Sequence, residues 1–253
     1  MSFDVAAAAY DEYMGRWSRR LSAGLADIAG VRAGMRVLDV GCGTGALTEE
    51  LVRRVGAGNV SAVDPSASFV RAMRNHLAGV DVREAPAERL PFADATVDAA
   101  LAQLVVHFMA DPVAGIAEMR RVTRPGGAVA ACVWDFGGHR GPLGVFWDAA
   151  REIRPDVVDE SGLAGTRDGH LAELFRAAGL REVSQSVLEA TVEHASFEAW
   201  WAPFTKGVGP GGAFVAQLDP GEVARLRDAC ERRLGGRLPI IVRAAAWAAR
   251  GSP

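Results

Sequence analysis

Two carboxylates and three glycines carry most of the chemistry legible in this chain. Asp39 stands in the apolar run Val37–Val40, and glycines follow at Gly41, Gly43 and Gly45, with Cys42 and Thr44 between them. ALTEELVRRV then continues with helical spacing. A strand, a tight turn and a helix start bring bare backbone and helix N–H groups against a ligand. The second carboxylate, Asp64, ends the next apolar run, NVSAVD, 19 residues beyond Gly45. There a carboxylate can accept both hydroxyl protons of a ribose. The triplet Asp64-Pro65-Ser66 also reads as a helix cap.

The stretch Gly41-x-Gly43-x-x-Ala46 satisfies the relaxed dinucleotide fingerprint, so an NAD(P)-dependent oxidoreductase is one reading. Asp39 argues against it, because a carboxylate before the turn repels a pyrophosphate at the same helix N-terminus. Gly45 is expected to widen the loop for a bulkier approach. A ligand with an ammonium and a sulfonium and no phosphate suits an acid there, and S-adenosylmethionine is such a ligand. The Tyr-x-x-x-Lys pair of short-chain oxidoreductases is not available: the only tyrosines are Tyr10 and Tyr13 and the only lysine is Lys206. No GK[ST] phosphate loop exists.

The elements that must position these residues follow from periodicity. Residues 5–30 read as one or two helices, with Tyr10, Tyr13, Met14, Trp17 and Leu21 at spacings of 3 and 4. From Met35 the rhythm alternates. Strands are expected over 35–40, 59–64, 80–84, 96–103 and 128–134, with helices over 44–55, 66–77 and 111–123, and RPGG (124–127) as a turn. This alternation implies a mostly parallel α/β sheet covered on both faces. Beyond it come a helix over 168–178 and strands over 181–193 and 238–248. Two stretches, 136–167 and 195–236, interrupt the rhythm as insertions. Residues 134–214 hold 10 of the 18 aromatics, so Trp147, Trp200, Trp201 and Phe204 are candidates for an acceptor pocket as well as for simple packing.

With 253 residues the chain can bury roughly three quarters of its unfolded surface. A single domain over 1–253 is expected: N-terminal helices (1–34), a ligand-binding half (35–135) and a second half carrying the insertions (136–253). Hydrophobic residues at 49%, charged residues at 23% and a net charge of −3 describe an ordinary globular protein with no bulk attraction to nucleic acid or anionic membrane. Cys42, Cys132 and Cys230 lie far apart, which disfavours a zinc site, an iron–sulfur cluster or a disulfide framework, so no metal is expected. No signal peptide or membrane-spanning run is apparent, and a cytoplasmic location is the default.

Together, VLDVGCGTGALTEEL, AVDPS (62–66), AERLPFADATVDAA (87–100) and EMRRVTRPGGAVA (118–130) resemble the class I S-adenosylmethionine-dependent methyltransferases. The resemblance is strongest to the small-molecule branch that includes the ubiquinone/menaquinone biosynthesis C-methyltransferases. It covers about residues 35–135. It implies a Rossmann-like, seven-stranded, mostly parallel sheet, S-adenosylmethionine as cofactor, and methyl transfer to a small, apolar or aromatic metabolite. By resemblance, Gly41, Cys42, Gly43 and Gly45 wrap the methionine part, Asp39 lies near its ammonium, and Asp64 holds the ribose. Pro65 and Ser66 then lie beside the adenine. The family's Asp-Ala-Glu triplet reads Pro86-Ala87-Glu88 here, which leaves the backbone of Ala87 or Glu88 to recognise the ring edge. Gln103 stands where the family places a polar residue against the cofactor, and Tyr10, Tyr13 and Arg16 are candidates for closing over it.

Methyl transfer asks the protein mainly to align donor and acceptor and to exclude water. If a base is needed, His107 is the candidate, since it follows the fourth strand at the carboxyl end of the sheet. A half-buried structural histidine is the competing reading. His76, His139, His170 and His194 are expected at the surface. A nucleic-acid methyltransferase of the amino-group type would carry an Asn/Asp-Pro-Pro-aromatic motif where this chain reads Ala102-Gln103-Leu104-Val105. A non-catalytic, methyltransferase-like binding protein is the remaining alternative.

Overall fold

The computed structural model describes residues 14–207 and 209–253; Tyr10 and Tyr13 lie outside that range. Seven strands form one sheet: β1 (Val37–Val40), β2 (Val60–Asp64), β3 (Asp81–Glu84), β4 (Val97–Gln103), β5 (Thr123–Trp134), β6 (Arg181–His194) and β7 (Ile240–Ser252). Their order is β3-β2-β1-β4-β5-β7-β6. The first five are mutually parallel, and β7 runs antiparallel between β5 and β6. The expected seven-stranded, mostly parallel sheet is therefore present. Strand order reverses at β1 and β4, which opens a crevice outside their carboxyl ends.

Helices α1 (Arg16–Ile28), α2 (Ala46–Val55), α3 (Ala67–His76), α4 (Pro112–Val122), α5 (Gly144–Ile153) and α6 (His170–Ala177) pack around this sheet. Leu21 and Leu25 of α1 join Leu47 and Leu51 of α2 in one buried cluster, while Ile116 and Met119 of α4 join Leu171 and Phe175 of α6 in another. Alternation along β1 sends Leu38 and Val40 into the second cluster and Val37 into the first. Asp39 thus shares the face covered by α1 and α2. Capping follows the sequence: Ser66 caps α3, and Asp111 caps α4 with Pro112 at its first position.

The turn expected at 124–127 is drawn into the start of β5. Pairing with β4 jumps from Val97–Thr123 to Ala99–Ala128, so these residues bulge from the ladder. A Cβ at Gly127 would stand 2.5 Å from the Asp98 carbonyl oxygen, and that close approach requires glycine. The insertions are helical. The first holds α5, and the second holds α7 (Phe197–Thr205), α8 (Gly209–Val215) and α9 (Pro220–Leu234), the last closed by an Asp219/Glu222 capping box. Among the described residues, no helix is long and apolar enough to cross a membrane.

Candidate functional site

A cleft of about 310 Å³ opens at the switch point. Of the residues singled out in the sequence, Asp39, Gly41, Cys42, Gly43, Asp64, Pro65, Ser66, Ala87, Glu88 and Gln103 all line it. Its charged lining is one-sided: Asp39, Asp64 and Glu88 are acidic, and no Lys, Arg or His is among the described residues that line it.

The glycine turn sits at the end of β1 because its N–H groups find partners there. Gly41 and Cys42 both donate to the Val63 carbonyl, at 2.8 and 2.9 Å. Gly41 has φ +74, and a Cβ on it would fall 2.2 Å from Val105 Cγ2. Gly43 has φ +53, and a Cβ there would meet nothing within 4 Å, so its bare side faces open space in the cleft. Gly45 differs from its expected use. It does not line the cleft; a Cβ on it would meet Met73 Sδ at 2.5 Å. With φ +99 it starts α2 and lets α3 pack close, rather than widening the loop.

The two carboxylates are held differently. Asp64 Oδ2 accepts from the Gly43 N–H at 2.9 Å and Oδ1 from the Ser66 N–H at 2.8 Å, which locks the acid across both turns. Burial raises its carboxyl above the ordinary range, against these two hydrogen bonds. Asp39 is 1% exposed. Its Oδ2 accepts from Thr48 Oγ1 at 2.6 Å, and its Oδ1 has no partner. Burial pushes its carboxyl from 3.8 up to about 7, with the Asp64 charge adding to the rise and Thr48 opposing it. Cys42 is a buried thiol that burial and the same two acids keep protonated. Gln103 Nε2 donates to the Ser18 carbonyl of α1 at 3.1 Å. That fixes the amide and leaves Oε1 buried without a partner. At the other end, Glu88 Oε1 accepts from the Asp111 N–H at 3.2 Å, and Ala87 is buried beside Pro86.

His107 requires a correction. It is 7% exposed, packs against Phe108 and Phe136, and does not line the cleft. Burial pushes its imidazole down to about 3, so it is neutral at physiological pH and a poor proton acceptor. His194 is not a surface residue either. It is 6% exposed at the end of β6, with Nδ1 3.4 Å from a guanidinium nitrogen of Arg16 and Nε2 without a partner. The candidate acceptor aromatics are all buried. Phe146 stacks on Phe204 at 4.5 Å and meets Trp147 edge-on at 5.0 Å, and Trp200 packs on Phe204 at 5.0 Å. Trp200 and Phe204 border a cavity of about 20 Å³, together with Arg16 and His194. The cluster is core, because rings of this size gain more by packing on one another than by lining a void.

Sequence reasoning missed Ser18, Thr44, Phe69, Leu104, Val105, Phe108 and Met109, which also line the cleft. It missed Thr48 as well. A polar residue beside Leu47 and Leu51 on the buried stripe of α2 was a signal that something inside needed a donor. Leu104 gave none: it adopts φ +59 so that the chain can turn out of β4 into the cleft wall.

Fold and cleft together define a Rossmann-like α/β protein with an acid-flanked glycine loop at its switch point. Residues 38–131 match the family described as a methyltransferase domain. The chain is similar to the ubiquinone/menaquinone biosynthesis C-methyltransferase UbiE of Burkholderia orbicola, with 32% identity over 181 residues covering 68% of this chain and 70% of that protein. Among solved structures, it resembles the YcgJ protein of Bacillus subtilis (TM-score 0.57, 18% identity, 91% of this chain and 97% of that one). It also resembles a SAM dependent methyltransferase from Aquifex aeolicus (TM-score 0.54, 23% identity, 75% of this chain and 94% of that one). These two likenesses concern the fold. The chain belongs to the class I S-adenosylmethionine-dependent methyltransferases, the UbiE-like relatives included, and it is an S-adenosylmethionine-dependent methyltransferase.

Proposed function

We propose that the cleft at the β1/β4 switch point holds S-adenosylmethionine and transfers its methyl group to a small apolar or aromatic acceptor. The observation that carries this reading is the lone Asp39 oxygen: a buried carboxylate without a counter-charge, in a cleft lined by acids and by no described base. A cationic, phosphate-free ligand suits that environment, and a dinucleotide pyrophosphate does not. The NAD(P)-dependent alternative is accordingly disfavoured.

When bound, S-adenosylmethionine supplies a methyl carbon already activated by its sulfonium. The chain's own part is to bind and align. Gly41, Cys42 and Gly43 offer main chain for close approach, with Asp39 beside the amino-acid end. Asp64 is preset by two N–H groups to receive ribose hydroxyls with its remaining lone pairs. Pro65, Ser66, Ala87 and Glu88 flank the base, and Gln103 presents a fixed carbonyl oxygen. Leu104, Val105, Phe108 and Met109 give the far wall an apolar surface that excludes water and suits an apolar acceptor. With His107 neutral and outside the cleft, alignment is the main contribution of the protein.

Isothermal titration with S-adenosylmethionine and with NAD tests the reading. The expected result is saturable binding of the first and none of the second; binding of NAD alone would overturn it. Mass spectrometry of a panel of apolar, aromatic, polar and macromolecular acceptors incubated with labelled cofactor tests the acceptor class, and label found only in the polar or macromolecular ones would refute it.

A further inference from the structure

The first turn of α1 separates two unlike spaces at the carboxyl end of the sheet. Ser18 lines the acidic cleft, while its neighbours Arg16 and Trp17 line the cavity of about 20 Å³ that His194 borders from the end of β6. The strands beneath are adjacent. Gln103 of β4 pairs with Cys132 of β5, and Trp134, which ends β5, meets Trp17 edge-on with ring centroids 6.2 Å apart. The bond from Gln103 to the Ser18 carbonyl fixes the turn between the two spaces. An arginine has no acceptor atom, so the Arg16 nitrogen 3.4 Å from His194 Nδ1 is the donor of that pair. Burial, with the Arg16 charge adding to it, holds the imidazole below its ordinary value and neutral, so its one proton sits on Nε2. The Ala199 backbone also bears on the ring, yet Nε2 closes no hydrogen bond. The other described walls are the side chains of Trp17, Trp200 and Phe204 with prolines and a leucine, which carry no acceptor oxygen. A buried N–H in such an enclosure costs free energy until an acceptor atom reaches it.

We propose that this cavity is the subsite for an oxygen function of the methyl acceptor, a hydroxyl, carbonyl or carboxylate oxygen on an otherwise apolar molecule, received by His194 Nε2–H beside the Arg16 guanidinium. The inference rests on the methyl-transfer reading above and narrows its acceptor class. Size sets the first limit. A cavity of about 20 Å³ takes one oxygen-sized group and no ring, so the carbon body stays outside it, against the first turn of α1. Charge sets the second. Asp39, Asp64 and Glu88 disfavour an electron-rich oxygen in the cleft, and Arg16 favours it in the cavity. The acceptor is thereby oriented, with its oxygen toward β6 and the atom to be methylated toward the cleft. A plain hydrocarbon forfeits the hydrogen bond, and an ammonium in place of the oxygen meets the guanidinium. His194 acts here as a specificity-determining donor and not as a base, because its Nδ1 is committed to Arg16.

The test uses phenol and toluene, which differ by a hydroxyl in place of a methyl group, on the whole chain with and without S-adenosylhomocysteine. Long-range proton–nitrogen NMR of the histidine rings should show His194 with its proton on Nε2, and that nitrogen should shift with phenol and not with toluene. Phenol should bind about tenfold more tightly than toluene, the effect of one buried hydrogen bond. His194→Phe keeps a ring and removes the donor, so the preference should vanish. His194→Gln offers an amide N–H in place of Nε2–H and should keep most of it. Thermal unfolding shows whether each variant is folded. Equal binding of the two probes by wild type, or binding of neither, would overturn the subsite and leave the cavity to an ordered water. A preference undiminished in His194→Phe would overturn it as well, by placing the oxygen elsewhere. Failure of wild type to bind S-adenosylhomocysteine would instead bring down the cofactor reading, while the phenol arm run without nucleoside would still decide the subsite.

Discussion

Among the described residues, burial pushes two acids toward neutrality, one in each half, and their surroundings differ. Asp39 sits at the crevice with one oxygen held by Thr48 and the other open. Glu160 lies in the first insertion, where Oε2 accepts from Trp147 Nε1 at 3.3 Å. Burial pushes both carboxyls to about 7. Around Asp39 the backbone is drawn into left-handed glycines and a left-handed Leu104, leaving polar atoms unpaired beside a void. Trp147, which donates to Glu160, meets Phe146 and Phe214 edge-on, and Phe146 in turn stacks on Phe204. Unpaired polar atoms beside a cleft mark a place that waits for a ligand. A buried acid whose hydrogen bond is made to a packed tryptophan belongs to the packing.

The strongest way to break this comparison is to empty the aromatic half. Phe146 has no exposed surface and stacks on Phe204. Phe146→Ala should cost about 3–5 kcal/mol of stability through lost transfer energy and a residual cavity. It should leave the dissociation constant for S-adenosylmethionine within about twofold, since the residue does not line the cleft. Urea unfolding and titration of the same variant check both halves of the statement. A small stability loss together with a large affinity loss would mean that the aromatics serve the ligand.

Asp64→Ala probes the opposite side. Removing this carboxylate should weaken S-adenosylmethionine binding by about 1.5–3 kcal/mol, the range for charge-assisted hydrogen bonds to ligand hydroxyls. The variant also frees the Gly43 and Ser66 N–H groups, so Asp64→Asn, which retains one acceptor oxygen, should lose less. An unchanged dissociation constant in both would show that Asp64 only organises the two turns.

What the sequence made legible divides along the same line. The cleft residues belong to short, local arrangements: a strand end, three glycines, an acid at the next strand end. Backbone geometry allows few other uses for such residues, so ten of those singled out meet in one place. Gly45 was misread because a glycine's need for space does not say which neighbour occupies it; here it is Met73 on α3. The aromatic half depends on contacts between residues far apart in the chain, such as Phe146 with Phe204 and Arg16 with His194. Nothing in local spacing records them, so His194 read as exposed and the tryptophans stayed open between a pocket and simple packing. His107 failed for a related reason. Its position after β4 was legible, while its enclosure by Phe108 and Phe136 comes from the turn after β4 and the segment after β5.

The smallest expected effect separates the two acids directly. Glu160 has an ordinary value of 4.5 and a folded value of about 7. Between those pH values the folded chain holds the proton while the unfolded chain has lost it, so stability falls as pH rises through the window and levels off above it. The slope from this group cannot exceed about 1.4 kcal/mol per pH unit, and relaxation of the insertion will make it smaller. Glu160→Gln keeps an acceptor for Trp147 Nε1–H and cannot ionise, so denaturant unfolding between pH 5 and 7.5 should show its share of the slope removed. The Asp39 share has the same sign and should persist in Glu160→Gln. If Glu160→Gln left the slope unchanged, Glu160 would not hold its proton in the folded chain. The division between a ligand-facing half and a packed half would then fail.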